Sequence, residues 1–187
     1  MTTGQQQDSG TYSADDLRYP IGRFTRPDRL SAADRERAIG VIMNTPAQLR
    51  RAVEDLSAEQ LDTPYRPGGW TVRQLVHHVP DSHLNAYVRC KLALTEDVPT
   101  IKPYDEAAWA QLPDSRMPVE TSLVLLETLH ARWVTLLRSV AEEQWARRLN
   151  HPESGVMRLD QLLALYAWHG PHHVAHVTSL RARNGWG

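Results

Sequence analysis

The chain has 187 residues, 41% of them apolar and 23% charged, with a formal net charge of −1; that length suits one well-buried domain and leaves two cramped. Lys and Arg are spread along the chain without a basic block, so electrostatics predict no nucleic-acid partner and no anionic-membrane partner. No apolar run is long enough to span a bilayer, Met1 to Gly10 carry no apolar signal core, and Cys90 has no second cysteine to pair with; these features point to the cytoplasm and leave any metal to be held mainly by His, Asp or Glu.

Residues 1–16 are dominated by Gln, Ser, Gly and Thr and are expected to form a disordered tail, with 17–187 as a single domain. Residues 17–30, with Pro20, Gly22 and Pro27, read as an extended arm. Ser31 is placed to cap a helix reaching about Leu56, with Asp34 and Glu36 just inside it. Pro46 predicts a kink or break there. Ser57-Ala58-Glu59-Gln60 has the form of a capping box for one short turn. A Pro/Gly-rich loop over 62–69 follows, and Thr71 with Gln74 boxes the start of a second long helix ending near Leu94. Its apolar stripe includes Val72, Leu75, Val76, Val79, Ala86 and Cys90, and Pro80 predicts a kink near His78 and His83.

Residues 95–117 form a long loop containing Tyr104-Asp105-Glu106, a length at which loops often serve function. A third helix is expected from Pro118 to Val140, with Leu123, Leu126, His130 and Trp133 on its stripe. Residues 147–159 carry a hairpin signal around Pro152-Glu153-Ser154-Gly155. A fourth helix runs from Asp160 to about Arg183, with Pro171 inside it. The fold class that follows is all-α: an antiparallel four-helix bundle with long loops and a small β-hairpin before the last helix.

The fourth helix holds His169, His172, His173 and His176, four of the nine histidines within eight residues. His169 and His173 are four apart, as are His172 and His176, so either pair stacks on one helical face and can grip one ion from one side. A second group, His77, His78 and His83, follows Trp70-Thr71. Joined by the fold, the two groups offer a three-histidine site with open positions, as catalytic metals use. Most histidines on apolar helix faces are satisfied core residues, but two overlapping His-x-x-x-His pairs beside a second group exceed that background. Spacing alone does not choose between the pairs, and periodicity leans toward His83 as the inward-facing residue of its group. Trp70 and Trp168 are candidate walls. Rival chemistries are weaker. Ser82 and Ser139 lack a glycine-flanked elbow, no His-Glu-x-x-His motif occurs, and Gly68-Gly69 is not a phosphate loop.

Several blocks in order resemble the YfiT branch of the DinB/YfiT-like superfamily. They are Tyr19-Pro20-Ile21-Gly22, the run from Leu61 through Gly68-Gly69-Trp70-Thr71 to Gln74, His77-His78 with Asp81-Ser82-His83, Lys102-Pro103-Tyr104-Asp105-Glu106, His130-Ala131-Arg132-Trp133, His151-Pro152 and the final histidine helix. The resemblance spans about residues 19–186. It implies a four-helix bundle with a divalent metal, zinc or nickel, at one end, one ion per chain, and a homodimer. It implies His78, His169 and His173 as ligands. His77, His83, His172 and His176 then become candidates for supporting the ligands or lining the pocket.

Members of this branch are described as candidate metal-dependent hydrolases, and some relatives are thiol S-transferases using bacillithiol or mycothiol. The expected function is therefore a metal-dependent enzyme that activates a low-molecular-weight thiol for transfer to an electrophile. Hydrolysis by an activated water is the alternative, and a non-catalytic metal-binding protein the third reading. Three neutral imidazoles leave the ion its charge, which acidifies a bound water or thiol. Arg66, Tyr104 and Asp105 are expected near the entrance, with Arg66 or Arg132 holding a substrate carboxylate.

Overall fold

The computed structural model describes residues 13–187. Its helices are α1 (Ala14–Arg18), α2 (Ala32–Val53), α3 (Ala58–Leu61), α4 (Val72–Thr95), α5 (Glu106–Trp109), α6 (Val119–Arg138) and α7 (Leu159–Asn184), with a hairpin of β1 (Arg148–His151) and β2 (Gly155–Arg158) before the last. The expected tail falls outside the described residues over 1–12. Its last four residues differ from expectation: Ser13 caps α1 in a reciprocal box with Asp16, a local signal that composition concealed.

The helix starts follow the capping chemistry. Ser31, Ser57 and Thr71 each accept a hydrogen bond from the backbone N–H three residues on, and Asp34, Gln60 and Gln74 return one. None of the three prolines breaks its helix: α2, α4 and α7 run on through Pro46, Pro80 and Pro171. Pro118 is the cap of α6 rather than its first residue. The long loop is not featureless, since it contains α5 and a 3-10 turn over Pro113–Arg116.

The four long helices form the expected bundle, though only some of its neighbouring pairs are antiparallel. α2 and α6 run antiparallel, with Arg50 at Glu120 and Arg138 at Glu36. α4 and α7 also run antiparallel, His78 meeting His173 and His83 meeting His169. α2 and α7 point the same way: Leu30 N–H reaches Asp160 at their starts, and Arg181 reaches the Ala52 carbonyl at their ends. α4 and α6 also share a direction, with His77 at Ser122 and His83 at His130. Parallel neighbours need a connection that returns along the bundle, which explains the length of the segment between α4 and α6.

Two apolar clusters fill the interior. One contains Ile42, Ala86, Cys90, Trp133, Leu163 and Tyr166 and is closed by Leu149 and Met157 of the hairpin. The other contains Leu49, Leu75, Val79, Leu126, Val177 and Leu180. Each long helix passes from one cluster to the other at the same height. The residues at those crossings are Thr45 on α2, His83 on α4, His130 on α6 and His169 with His173 on α7. His83 and His130 therefore sit at mid-length, while His78 lies in the first third of α4, between Val76 and Val79 of the second cluster.

Candidate metal centre

α7 approaches α2 closely at Gly170, where an added Cβ would meet Thr45 Cγ2 at 2.6 Å. That contact presents the flanking His169 and His173 toward α4. Their Nε2 atoms lie 3.2 Å apart. The His78 ring lies 5.0 Å from that of His173 and 5.5 Å from that of His169. One nitrogen from each of the three imidazoles lies within 4.8 Å of the others. Two nitrogens at Zn–N distances around a tetrahedral ion are separated by about 3.3 Å, so the α7 pair fits such an ion as it stands, while His78 is looser.

The protonation states suit ligation. Desolvation pushes His78 down to about 4, and desolvation plus neighbouring imidazoles hold His169 and His173 well below the ordinary histidine value. All three are neutral near pH 7, each with a nitrogen lone pair. His173 Nδ1 is buried without a hydrogen-bond partner.

The other four histidines of the two sequence groups fall into three sets. His83, the residue periodicity favoured, is fully buried but stands behind His169, its Nε2 3.1 Å from His169 Nδ1. His172 and His176 form a second pair, Nε2 to Nε2 3.1 Å, on the pocket wall. Their rings pack on Trp168 at 4.3 Å and on Tyr65 at 4.2 Å. His77 does not line the pocket: its ring nitrogens lie 2.7 Å from Ser122 Oγ and 2.9 Å from the Met117 carbonyl, which ties it to the α6 side.

Above the three imidazoles opens a cavity of about 420 Å³, lined by Tyr19, Tyr65, Arg66, Trp70, Glu106 and Trp168 among others. The arm supplies one edge, Trp168 Nε1 donating to the Gly22 carbonyl at 3.2 Å. Gly68 has φ +67, and Gly69 N–H closes a turn onto the Arg66 carbonyl. A Cβ at Gly69 would meet Arg66 Cγ at 2.8 Å, so this turn needs glycine to aim Arg66 into the opening. Two expectations, for Asp105 and Arg132, are corrected. Asp105 is exposed and caps α5 through Ala108 N–H, and the neighbouring Glu106 borders the cavity instead. Tyr104 packs on Trp109 at 4.3 Å and does not line the opening, but its buried hydroxyl lies beside Ser82, whose Oγ is 3.5 Å from His169 Nε2, on the supporting side of the site. Arg132 lies 5.9 Å over the Tyr87 ring, away from the opening.

The sequence placed His130 on an apolar stripe and in one of the blocks that carry the resemblance, with no role of its own. It is 2% exposed, with Nε2 2.7 Å from His83 Nδ1 and Nδ1 2.6 Å from the Ile42 carbonyl. The spacing of polar residues along α6 held no sign of this link, which joins three helices.

Comparison with known proteins agrees with this architecture. Residues 43–177 match the model of the DinB superfamily. Relatives from Bacillus mycoides (strain KBAB4) and Bacillus cereus (strain 03BB102) are 56% and 57% identical over 171 residues, 91% of this chain and 99% of each relative. Both are named as candidate metal-dependent hydrolases. Among solved structures the chain is similar to YfiT from Bacillus subtilis, with 48% identity, a TM-score of 0.90, and coverage of 92% of this chain and 99% of that one. That protein is described as a probable metal-dependent hydrolase with an unusual four-helix bundle topology.

Proposed function

This chain belongs to the DinB superfamily, and from that premise we propose that it is a divalent-metal-dependent enzyme in which His78, His169 and His173 hold one ion per chain. The observation that carries the reading is the convergence of three buried or half-buried neutral imidazoles, one nitrogen each within 4.8 Å, at the floor of an open cavity. Nitrogen donors suit zinc and nickel alike. A divalent ion held this way supplies Lewis acidity, lowering the pKa of a water or a thiol that it binds.

The rest of the site prepares a substrate. Trp70, Trp168 and Tyr65 give apolar walls that restrict water. Arg66 brings a fixed positive charge to the opening, suited to a substrate carboxylate. His172 is neutral near pH 7, burial lowering it to about 4, and its buried Nδ1 has no partner within the protein, so it offers a hydrogen-bonding atom to a ligand.

Transfer of a low-molecular-weight thiol to an electrophile is the first reading of the reaction. Its support is chemical: an ion held by three neutral imidazoles deprotonates a bound thiol unaided, while Glu106 and the neutral His172 of the lining are available as bases for hydrolysis. Thiol activation by a metal needs no general base from the protein, whereas water-based hydrolysis usually employs one. Hydrolysis is the second reading, favoured by the names of the relatives. The test is conjugation of a fluorogenic electrophile by metal-loaded protein with bacillithiol, mycothiol, glutathione and cysteine in turn, chelated protein serving as control. Metal-dependent turnover with one thiol is the expected result. Absence of turnover with all four contradicts thiol transfer and transfers the weight to hydrolysis.

A further inference from the structure

Within α2, Pro46 has no N–H to give to the carbonyl of Ile42 four residues earlier. The Ile42 oxygen is thus left open inside the bundle, and His130 Nδ1 occupies it at 2.6 Å. A carbonyl oxygen only accepts, so His130 Nδ1 carries the proton. A neutral imidazole has one N–H, which leaves His130 Nε2 bare. That bare nitrogen lies 2.7 Å from His83 Nδ1, and the nearly parallel rings (12°) have centroids 4.8 Å apart, so the two nitrogens meet edge to edge. His83 Nδ1 is therefore the donor and His83 Nε2 is bare in turn. His169 Nδ1, 3.1 Å away, donates to it. The last bare nitrogen is His169 Nε2, which faces His173 Nε2 at 3.2 Å.

Each link depends on the imidazoles being neutral, which the surroundings favour: His83 is 0% and His130 2% exposed, and their hydrogen-bond partners are other imidazoles and a carbonyl, with no carboxylate to hold a charged ring. Reversing any one proton would set two N–H groups, or two lone pairs, against each other in the interior, where an unmet polar group costs about 1–3 kcal/mol.

We propose that Pro46, His130 and His83 are positioning residues for His169: the carbonyl that Pro46 leaves open dictates, through two imidazoles in series, that His169 keeps its proton on Nδ1 and its lone pair on Nε2. Describing His169 as a ligand rests on the metal reading above, but the proton placement does not. The consequence is a ligand nitrogen whose tautomer and ring orientation are set before any ion arrives. Outer partners of ligand histidines typically contribute 10–100-fold in metal affinity.

The experiment is long-range ¹H–¹⁵N correlation NMR on the metal-free full-length protein with labelled histidine near pH 7.5, which reports which ring nitrogen bears the proton. His130, His83 and His169 are all expected as the Nδ1–H form. His130→Phe removes the series, and His130→Gln restores it, because its amide N–H₂ donates to Ile42 while its oxygen accepts from His83. His169 is expected to lose its fixed tautomer in the Phe variant and keep it in the Gln variant. Zinc affinity by chelator competition should fall about 10–100-fold with Phe and recover with Gln. An Nε2–H form at any of the three in the wild type overturns the proposal, as does an unchanged His169 tautomer in His130→Phe. If His130→Phe does not fold, the wild-type spectrum alone decides. If the wild type binds no metal yet shows the three Nδ1–H forms, the metal reading fails and the positioning series stands.

Discussion

Gly170 of α7 and Thr45 of α2 leave no room between them: a Cβ on Gly170 would meet Thr45 Oγ1 at 2.7 Å as well as Cγ2 at 2.6 Å. Glycine inside a helix costs up to about 1 kcal/mol relative to alanine, and here the close approach offsets that cost by seating the histidine layer. Gly170→Ala should therefore destabilise the protein, by about 1–3 kcal/mol from overpacking. Adding Thr45→Ala removes both close atoms and should recover most of the loss. Urea denaturation of the two variants checks this, and an unchanged midpoint in Gly170→Ala would show that the helices slide apart freely.

Acid should unfold the metal-free protein early. Burial lowers His78, His130 and His172 to about 4 and His176 to about 3, from an ordinary value of 6.5. A depressed histidine pKa means that the unfolded chain binds protons first. The stability is thus full above about pH 6.5 and drains as pH falls toward 4, each group adding a slope of about 1.4 kcal/mol per pH unit. Urea midpoints at pH 7.5, 6 and 5 should drop steeply, and a flat profile over that range would contradict the burial of neutral imidazoles.

Asp81 acts in the opposite sense. Desolvation, with repulsion from Asp114, raises its carboxyl from 3.8 to about 6. The folded state then binds the proton more tightly than the unfolded one, so stability is lost as pH rises from about 4 to 6 and stays lost above it. Asp81→Asn should stabilise the protein near pH 7 by on the order of 1–3 kcal/mol. The gap should narrow on acidification toward pH 4. A gap that does not change with pH would assign the gain to packing instead.

Arg66 should act on substrate rather than on metal. Arg66→Ala is expected to raise KM for a carboxylate-bearing substrate by about tenfold or more, the worth of one charge-assisted hydrogen bond. Metal content should stay unchanged, as measured on the same preparation. A loss of metal would mean that the loop supports the histidines directly.

The helix starts were legible because a capping box is written in four consecutive residues, as at Ser31, Ser57 and Thr71. The hairpin was legible for the same reason, its turn being local. The candidate ligands were only half legible. Spacing identified both α7 pairs, but which pair meets α4 is decided by the Gly170–Thr45 contact between distant helices. His77 and His78 are neighbours in sequence, yet Ser122 and Met117 draw one to α6 while the other turns toward α7. Pro46 predicts a kink or a break and Pro80 a kink, while Pro171 is expected inside a continuous helix. All three helices continue, and at Pro46 the missing N–H leaves a carbonyl for His130. A proline inside a helix is visible in sequence, but the residue that uses the freed oxygen belongs to the tertiary structure.

Metal content tests the central claim most directly. The wild type, reloaded with zinc or nickel and freed of excess ion, should retain one ion per chain. His78→Ala, His169→Ala and His173→Ala should each lose tight retention, because removing one of three ligands opens the site. His172→Ala and His176→Ala, which alter the other i,i+4 pair, should keep the ion. Full metal content in all three of the first variants, or loss confined to the second pair, would contradict the three-histidine centre described above.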